Sequence, residues 1–479
     1  MKAQAGPGSG PGRRHIGRAL VRRLGEIVGP ENVSIDPADL ACYGADAGFV
    51  TGRPDGVVLP ATTEETAAVL SLAADAGLPV VPRGAGTGTA GGAVPTRGGL
   101  VVALTRMHRI HEIDRRDLVG VVDPGVVTGD FQAAAEREGL FYPPDPASLA
   151  VCTLGGNAAT GAGGARAVKY GVTRDYVLGC EVALPDGRVV QLGGRTAKGV
   201  VGLDLTRLLV GSEGTLGILT RLVLRLVPMP PAVATLAGVF RAPADAAAAV
   251  GAVFSAGLVP RCAEFLDRMS LACIGGDLPF PVPGDAGALV LLEVDGPPAR
   301  VREEAAEAAG RFEAAGALRV FPAAEPGAAE ALWAARRGLS PALKRLGRPH
   351  KVSEDVCVPR GRLADLVAAV EEIGGRHRVT VLVFGHAGDG NLHVNFLFDR
   401  EDPGEAGRVE AAVADLMRRT LALGGTISGE HGVGAAKRPF IRWETGPDVL
   451  DLMRRVKSVF DPRGLMNPGK VFPDDADVG

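Results

Sequence analysis

Aromatic residues make up only 4% of this 479-residue chain, and its 52 lysines and arginines do not outnumber its 55 aspartates and glutamates. A formal net charge of -3 draws nothing toward polyphosphate, and so few rings leave little for bases to stack on. Both facts argue against a nucleic-acid binder. Cysteine is sparse as well. Cys42, Cys152, Cys180, Cys262, Cys273 and Cys357 lie far apart and form no C-x-x-C pair. Zinc ribbons and cysteine-ligated iron–sulfur clusters are therefore not indicated, and the thiols read as buried side chains of a cytoplasmic protein. No uncharged apolar run of about 18 residues occurs, so no membrane-spanning helix is expected. Arg13-Arg14 is not followed by the apolar run of an export signal, and residues 1–14, rich in Gly, Pro and Ala, are expected to be disordered.

What the chain has in quantity is glycine, 68 residues of it. The densest stretch is Val80 to Pro95, VVPRGAGTGTAGGAVP, which follows an apolar run. Glycine lets backbone N–H groups turn toward one centre, and successive N–H groups form an anion-binding nest suited to a pyrophosphate. Gly86 to Gly91 satisfies G-x-G-x-x-G, but a dinucleotide fold needs a helix opening on those glycines. More glycines and a strand-like run, Leu100 to Leu104, follow instead, so that reading is rejected. Around the loop the pattern predicts an α+β region. Helices are expected over His15–Val28, from Thr62 or Thr63 to Ala76, and over Asp130–Glu138. Strands are expected over Gly56–Pro60, Leu78–Val81 and Val119–Val122, with a hairpin around Pro185-Asp186-Gly187. Two further glycine-dense segments, Thr153 to Arg166 and Leu208 to Thr220, follow the first. Pro228, Pro230 and Pro231 mark a boundary, after which the chain is alanine-rich, as suits helices on an antiparallel sheet.

The second half carries a different signal. Phe384 to Phe396 reads FGHAGDGNLHVNF, and Thr426 to Gly434 reads TISGEHGVG. His386 and His393 flank a turn-like segment, and a strand from Leu392 would place His393 and Asn395 on one face. Imidazoles beside a carboxylate such as Glu430 make the donor set of a catalytic divalent-metal site. Spacing alone leaves Asp389 and Asp355 in competition as ligands.

These residues together resemble a known family. Pro82 to Gly88, Leu154-Gly-Gly-Asn157 and Gly211 to Gly217 (GSEGTLG) are similar to the flavin domain of vanillyl-alcohol-oxidase-type FAD proteins. Gly385 to His393, Ser428 to Gly434 and the terminal Asp461 to Lys470 resemble the FAD-linked D-2-hydroxy-acid dehydrogenase and oxidase branch. That branch includes the glycolate oxidase catalytic subunit, D-lactate dehydrogenase and D-2-hydroxyglutarate dehydrogenase.

The resemblance implies an α+β fold: a two-lobed PCMH-type FAD domain over 15–228, a substrate-binding cap over 229–455 and a C-terminal return over 456–479. It assigns the cofactor to Arg83, Gly84, Ala85, Gly86, Thr87 and Gly88 at the pyrophosphate. Asp145, Ser148, Gly155, Gly156, Asn157, Glu213, Gly214, Gly217, Ile218 and Asn467 complete that set. Residues 82–92 contain no histidine or cysteine, so non-covalent FAD is expected. The resemblance gives His386, His393 and Glu430 to Zn2+ or Mn2+, His431 the role of base, and Asn395 that of a nearby polar contact. Arg336, following Trp333, matches the arginine for the substrate carboxylate, with Ser340 and Lys351 as its companions. The implied reaction is oxidation of a 2-hydroxy acid to the 2-oxo acid. An electron acceptor (quinone, electron-transfer flavoprotein, cytochrome or partner subunits) and a homodimer are the expected partners, with peripheral membrane attachment through a partner as one arrangement. Alternatives are an ether-lipid synthase of the same superfamily and a flavoprotein subunit of a larger dehydrogenase complex.

Overall fold

A computed structural model describes residues 16–474; the tail expected to be disordered, and His15, lie outside them. The chain forms two compact units. The first holds the described residues of 16–162, 172–229 and 430–474, and the second holds Gly163–Gly171 and Pro230–Gly429. The return to the first unit thus begins at Glu430, earlier than the expected 456. Its cause is local: the amides of Ala435 and Ala436 both donate to the carbonyl of Ala90, at 2.9 and 3.0 Å.

One lobe of the first unit is a four-stranded sheet in the order Val33–Ser34, Gly56–Val58, Leu100–Ala103, Val80–Arg83, the last three parallel. Helices Arg18–Val28 and Thr63–Asp75 bury Leu24, Val28, Val69 and Leu70 in one core with Val80, Leu100 and Val102. Thr62 caps the second helix by accepting the Glu65 amide, and Glu64 and Glu65 fill its first turn, as the sequence predicts. Met466 pairs with Val80 and joins the same core, which ties the C-terminal segment to this sheet.

The other lobe is a five-stranded antiparallel sheet ordered Ile110–Asp114, Val119–Val122, Ile218–Arg225, Val177–Ala183, Val189–Gly193. Its last two strands are the expected hairpin. Leu154–Thr160 is a helix that glycine content concealed. Thr153 caps it by accepting the Gly156 amide, and Gly155 lies so near Pro124 that a Cβ would come within 2.4 Å. Packing there outweighs the low helix propensity of two glycines.

The second unit is built on a seven-stranded antiparallel sheet. Its order is Arg319–Pro322, Ala232–Phe240, Ala288–Gly296, Cys262–Asp267, Thr380–His386, Asn391–Phe398, His350–Cys357. Register decides what this sheet presents. Cys262 faces Glu293, Glu264 faces His386, Phe384 faces His393, and His393 faces Asp355. Directly paired residues share a face, and so do residues two apart along a strand. Glu293, Glu264, His386, His393, Asn395, Asp355 and Lys351 therefore all lie on one side. Helix Ala328–Ala342 covers that side, burying Leu332, Ala335 and Leu339 with Leu266, Leu289, Leu382 and Leu397. Helices Pro298–Ala314 and Leu363–His377 pack on the other, where Phe312 meets Gly238 and Val381 meets Gly374.

Candidate active site

In the first unit, strand Val80–Arg83 runs straight into the glycine loop. Among the described residues, no protein acceptor is found for the amides of Gly84 to Thr89. Such a run of free N–H groups after a strand is an anion nest, and it fits a pyrophosphate. Gly86 has φ 72, and a Cβ there would lie 2.1 Å from Arg83 Nη2. That contact shows what Arg83 does. Its Nη1 donates to the carbonyl of Ala45 at 2.8 Å, and its guanidinium lies 5.5 Å over the Tyr43 ring. Arg83 is 9% exposed and braces the loop from inside. Asp46 helps by accepting the Gly91 amide at 2.8 Å. Beside the loop is a cleft of about 410 Å³ bordered by Ala85, His108, Val126, Asp130, Val151 and Thr153. Nest and cleft together fit an elongated dinucleotide cofactor.

The other expected cofactor residues divide into two groups. Asn157 donates to Thr128 Oγ1 at 2.7 Å, holding the Leu154–Thr160 helix, and Asp145 and Ser148 are half-buried in the proline-rich stretch before it. Gly217 packs where a Cβ would approach Val182 to 2.9 Å, and Ile218 lies in the apolar core, so both serve packing. Glu213, at φ 53 beside Gly214 at φ 68, is also committed to protein. Its two carboxylate oxygens accept the amides of Val433 and Gly434, each at 2.8 Å. Burial pushes its carboxyl up, against the pull of those two amides. Glu213 therefore anchors the segment that carries Glu430 and His431, whose Oε1 and Nε2 lie 3.8 Å apart. Asn467 Nδ2 bridges the carbonyls of Gly92 and Glu213, at 2.9 and 2.7 Å, so the C-terminus closes on the same loops.

In the second unit, the sheet brings His386 and His393 together. Ring nitrogens of the two lie within 4.8 Å of each other, and the ring centroids are 5.1 Å apart. His386 Nδ1 donates to Glu264 Oε1 at 2.5 Å, which fixes its tautomer and leaves Nε2 as the lone-pair nitrogen. A carboxylate behind an imidazole is the usual outer partner of a metal-binding histidine, so this pair fits a divalent cation. The chain reaches Glu430 directly from Gly429, and the preceding Ser428 donates to Asp355 Oδ2 at 3.3 Å on the same sheet. Asp355 also accepts Asn391 Nδ2 at 2.6 Å, and Asp389 sits in the tight turn after His386. Asn395 is fully buried: Nδ2 donates to the carbonyl of His393, while Oδ1 has no protein donor among the described residues.

Helix Ala328–Ala342 brings Trp333, Arg336 and Ser340 to this face. Trp333 Nε1 donates to Glu293, Arg336 Nε donates to Glu264 at 2.7 Å, and Lys351 Nζ donates to Ser340 Oγ at 3.0 Å. Burial holds the Lys351 ammonium below its ordinary range. Glu264 takes the edge of Arg336 formed by Nε and Nη2. Sequence reasoning missed Glu264. The available signal was an acid in the middle of the strand Cys262–Asp267, between Ala263 and Phe265.

Known proteins bear on this site at three levels. The models "FAD binding domain" and "FAD linked oxidases, C-terminal domain" match residues 54–193 and 229–471. The glycolate oxidase subunit GlcD of Bacillus subtilis (strain 168) is 41% identical over 96% of this chain and 98% of its own. A D-lactate dehydrogenase of Anaerostipes hadrus is 37% identical over 93% and 94%. Among solved structures, p-cresol methylhydroxylase with substrate bound superposes with a TM-score of 0.81 at 19% identity, covering 95% of this chain and 96% of that one. An alkyldihydroxyacetonephosphate synthase gives 0.75 at 19% identity, covering 96% and 87%. The fold is the two-part α+β fold of vanillyl-alcohol-oxidase and PCMH-type flavoproteins. The chain belongs to the FAD-linked oxidases, in the group of GlcD and D-lactate dehydrogenase, and is an FAD-dependent oxidoreductase.

Proposed function

We propose that the protein oxidises a D-2-hydroxy acid, such as D-lactate or glycolate, to the 2-oxo acid. The observation that carries this reading is the sheet face that assembles His386, His393, Asn395 and, through Glu264, Arg336. In this reading the segment 15–228 and the C-terminal return hold FAD, and the segment from 229 is the substrate cap. The nest from Gly84 to Gly88 holds the pyrophosphate without a covalent tether. When bound, FAD supplies the acceptor for the hydride leaving C2.

His386, His393 and Glu430 would hold a divalent metal, which supplies the positive charge that lowers the pKa of a bound hydroxyl. His431, carried on the segment that Glu213 anchors, would take the hydroxyl proton, a task suited to an imidazole near neutral pH. Arg336 keeps Nη1 and the second N–H of Nη2 for the substrate carboxylate, an end-on pair that preserves two contacts. Ser340 and Lys351 extend that subsite, and the buried Asn395 Oδ1 offers one further acceptor. The proposed electron acceptor is a quinone, an electron-transfer flavoprotein, a cytochrome or partner subunits. A homodimer is part of the proposal. Among the described residues no helix is long and apolar enough to cross a membrane.

The test is an anaerobic visible-absorbance titration of the purified protein with D- and L-2-hydroxy acids, before and after chelation. Bleaching of the flavin band by one D-acid, abolished by chelator and restored by Zn2+ or Mn2+, is the expected result. A flavin that no 2-hydroxy acid bleaches would overturn the substrate assignment. Bleaching untouched by chelation would remove the metal.

A further inference from the structure

The row of paired residues on the sheet has one member that touches two parts of the site at once. Glu264 is 1% exposed and sits between His386 and Arg336. Its Oε1 accepts His386 Nδ1–H at 2.5 Å, and its Oε2 accepts Arg336 Nε–H at 2.7 Å with Nη2 at 2.5 Å. Buried at this depth, the carboxylate is the acceptor that holds both geometries. His386 can then present only Nε2 as a lone pair. The guanidinium, also 4.9 Å over the Phe384 ring, can turn only its Nη1 end outward. Among the described residues no protein acceptor is found for that Nη1.

We propose that Glu264 is a positioning residue that couples the metal subsite to the substrate-carboxylate subsite, setting the tautomer of His386 and the orientation of Arg336 with one carboxylate. This rests on the reading above of His386 as a metal ligand and Arg336 as a carboxylate ligand. Glu264 touches neither metal nor substrate, so it acts through the other two. Glutamine at this position keeps an acceptor for one partner, but its amide N–H₂ faces the other partner's donors. Both partners cannot be satisfied at once.

The experiment uses FAD-loaded, metal-stripped protein, with flavin content and melting temperature matched to wild type. Zn2+ is titrated in competition with a chromophoric chelator. Oxalate, a carboxylate probe that is not oxidised, is titrated by its perturbation of the flavin band. For Glu264→Gln, Zn2+ affinity is expected to fall about 10–100-fold, the usual effect of losing a metal ligand's outer partner. Oxalate affinity at saturating Zn2+ is expected to fall about tenfold, one charge-assisted contact. Adding Glu264→Gln to His386→Ala should cost no further Zn2+ affinity, the signature of action through His386. If Glu264→Gln does not fold because Arg336 is left unpaired, the charge-balanced double variant Glu264→Gln/Arg336→Met takes its place, with the same expected loss of Zn2+ affinity. Wild-type Zn2+ and oxalate affinities in a folded variant would overturn the positioning role and leave the proposed function standing. A wild-type protein that binds no Zn2+ would instead sink the metal reading beneath it.

Discussion

At the scale of single residues, the two halves of the site differ in how they use charge. In the glycine loop the charged groups stand behind the backbone: Arg83 and Asp46 brace it, and the amides face outward. Placing a methyl group at Gly86 would collide with Arg83 Nη2 and would require a left-handed backbone that L-residues resist. Gly86→Val is therefore expected to purify with little or no FAD, as read from the ratio of visible to ultraviolet absorbance. Full flavin content in that variant would show that the loop does not depend on this turn. His431, by contrast, is proposed to contribute chemistry and not architecture. His431→Ala should retain FAD and lose ~10²–10⁴-fold in turnover, the range for a general base. A wild-type rate would remove it from the mechanism. His386 and His393 were legible from the chain, because a turn between two strands puts residues of one short segment side by side. Glu264 was not, because its partner His386 lies 122 positions further along and only strand pairing reveals the contact.

At the scale of elements, one helix and one sheet explain most of the second unit. Trp333, Arg336 and Ser340 recur at helical spacing on Ala328–Ala342, and each meets a polar partner on that face. The apolar residues between them seal the rest of the interface. Glu293 collects donors from Trp333 and from Thr235 Oγ1 at 2.7 Å, with Arg261 Nε at 3.4 Å. Trp333→Phe keeps one aromatic ring but removes the indole N–H donor from a buried carboxylate, which costs about 1–3 kcal/mol. The expected result is a lower melting temperature with unchanged flavin content. An unchanged melt would show that Thr235 and Arg261 satisfy Glu293 without the indole. Of this sheet the strand from Leu392 was readable, but the strand order was not, since most neighbours in the sheet are distant in sequence. The Leu154–Thr160 helix was unreadable for a different reason: Gly155 is required by its contact with Pro124, which no local pattern reports.

At the scale of the whole molecule, the chain crosses between two units more than once, and its two tryptophans fall one in each, Trp333 in the second and Trp443 in the first. Loss of structure can therefore be followed unit by unit. Glu264 gives the second unit a defined response to acid. Burial would raise its carboxyl, but Arg336 and then His386 outweigh burial and bring it from 4.5 to about 2. The fold therefore favours the ionised form. Its stabilisation is complete above pH 4.5 and disappears as pH falls toward 2. The full span is on the order of 3 kcal/mol. Trp443→Phe leaves Trp333 as the sole indole reporter. In that background, denaturant midpoints of the second unit should fall steadily between pH 4.5 and 2. With Glu264→Gln added, the midpoint should be lower at pH 5 but fall less steeply across the same window, so that the two curves converge at the acid end. Parallel curves would mean that the carboxylate carries no net charge-dependent stabilisation, and that Arg336 and His386 are held by packing alone.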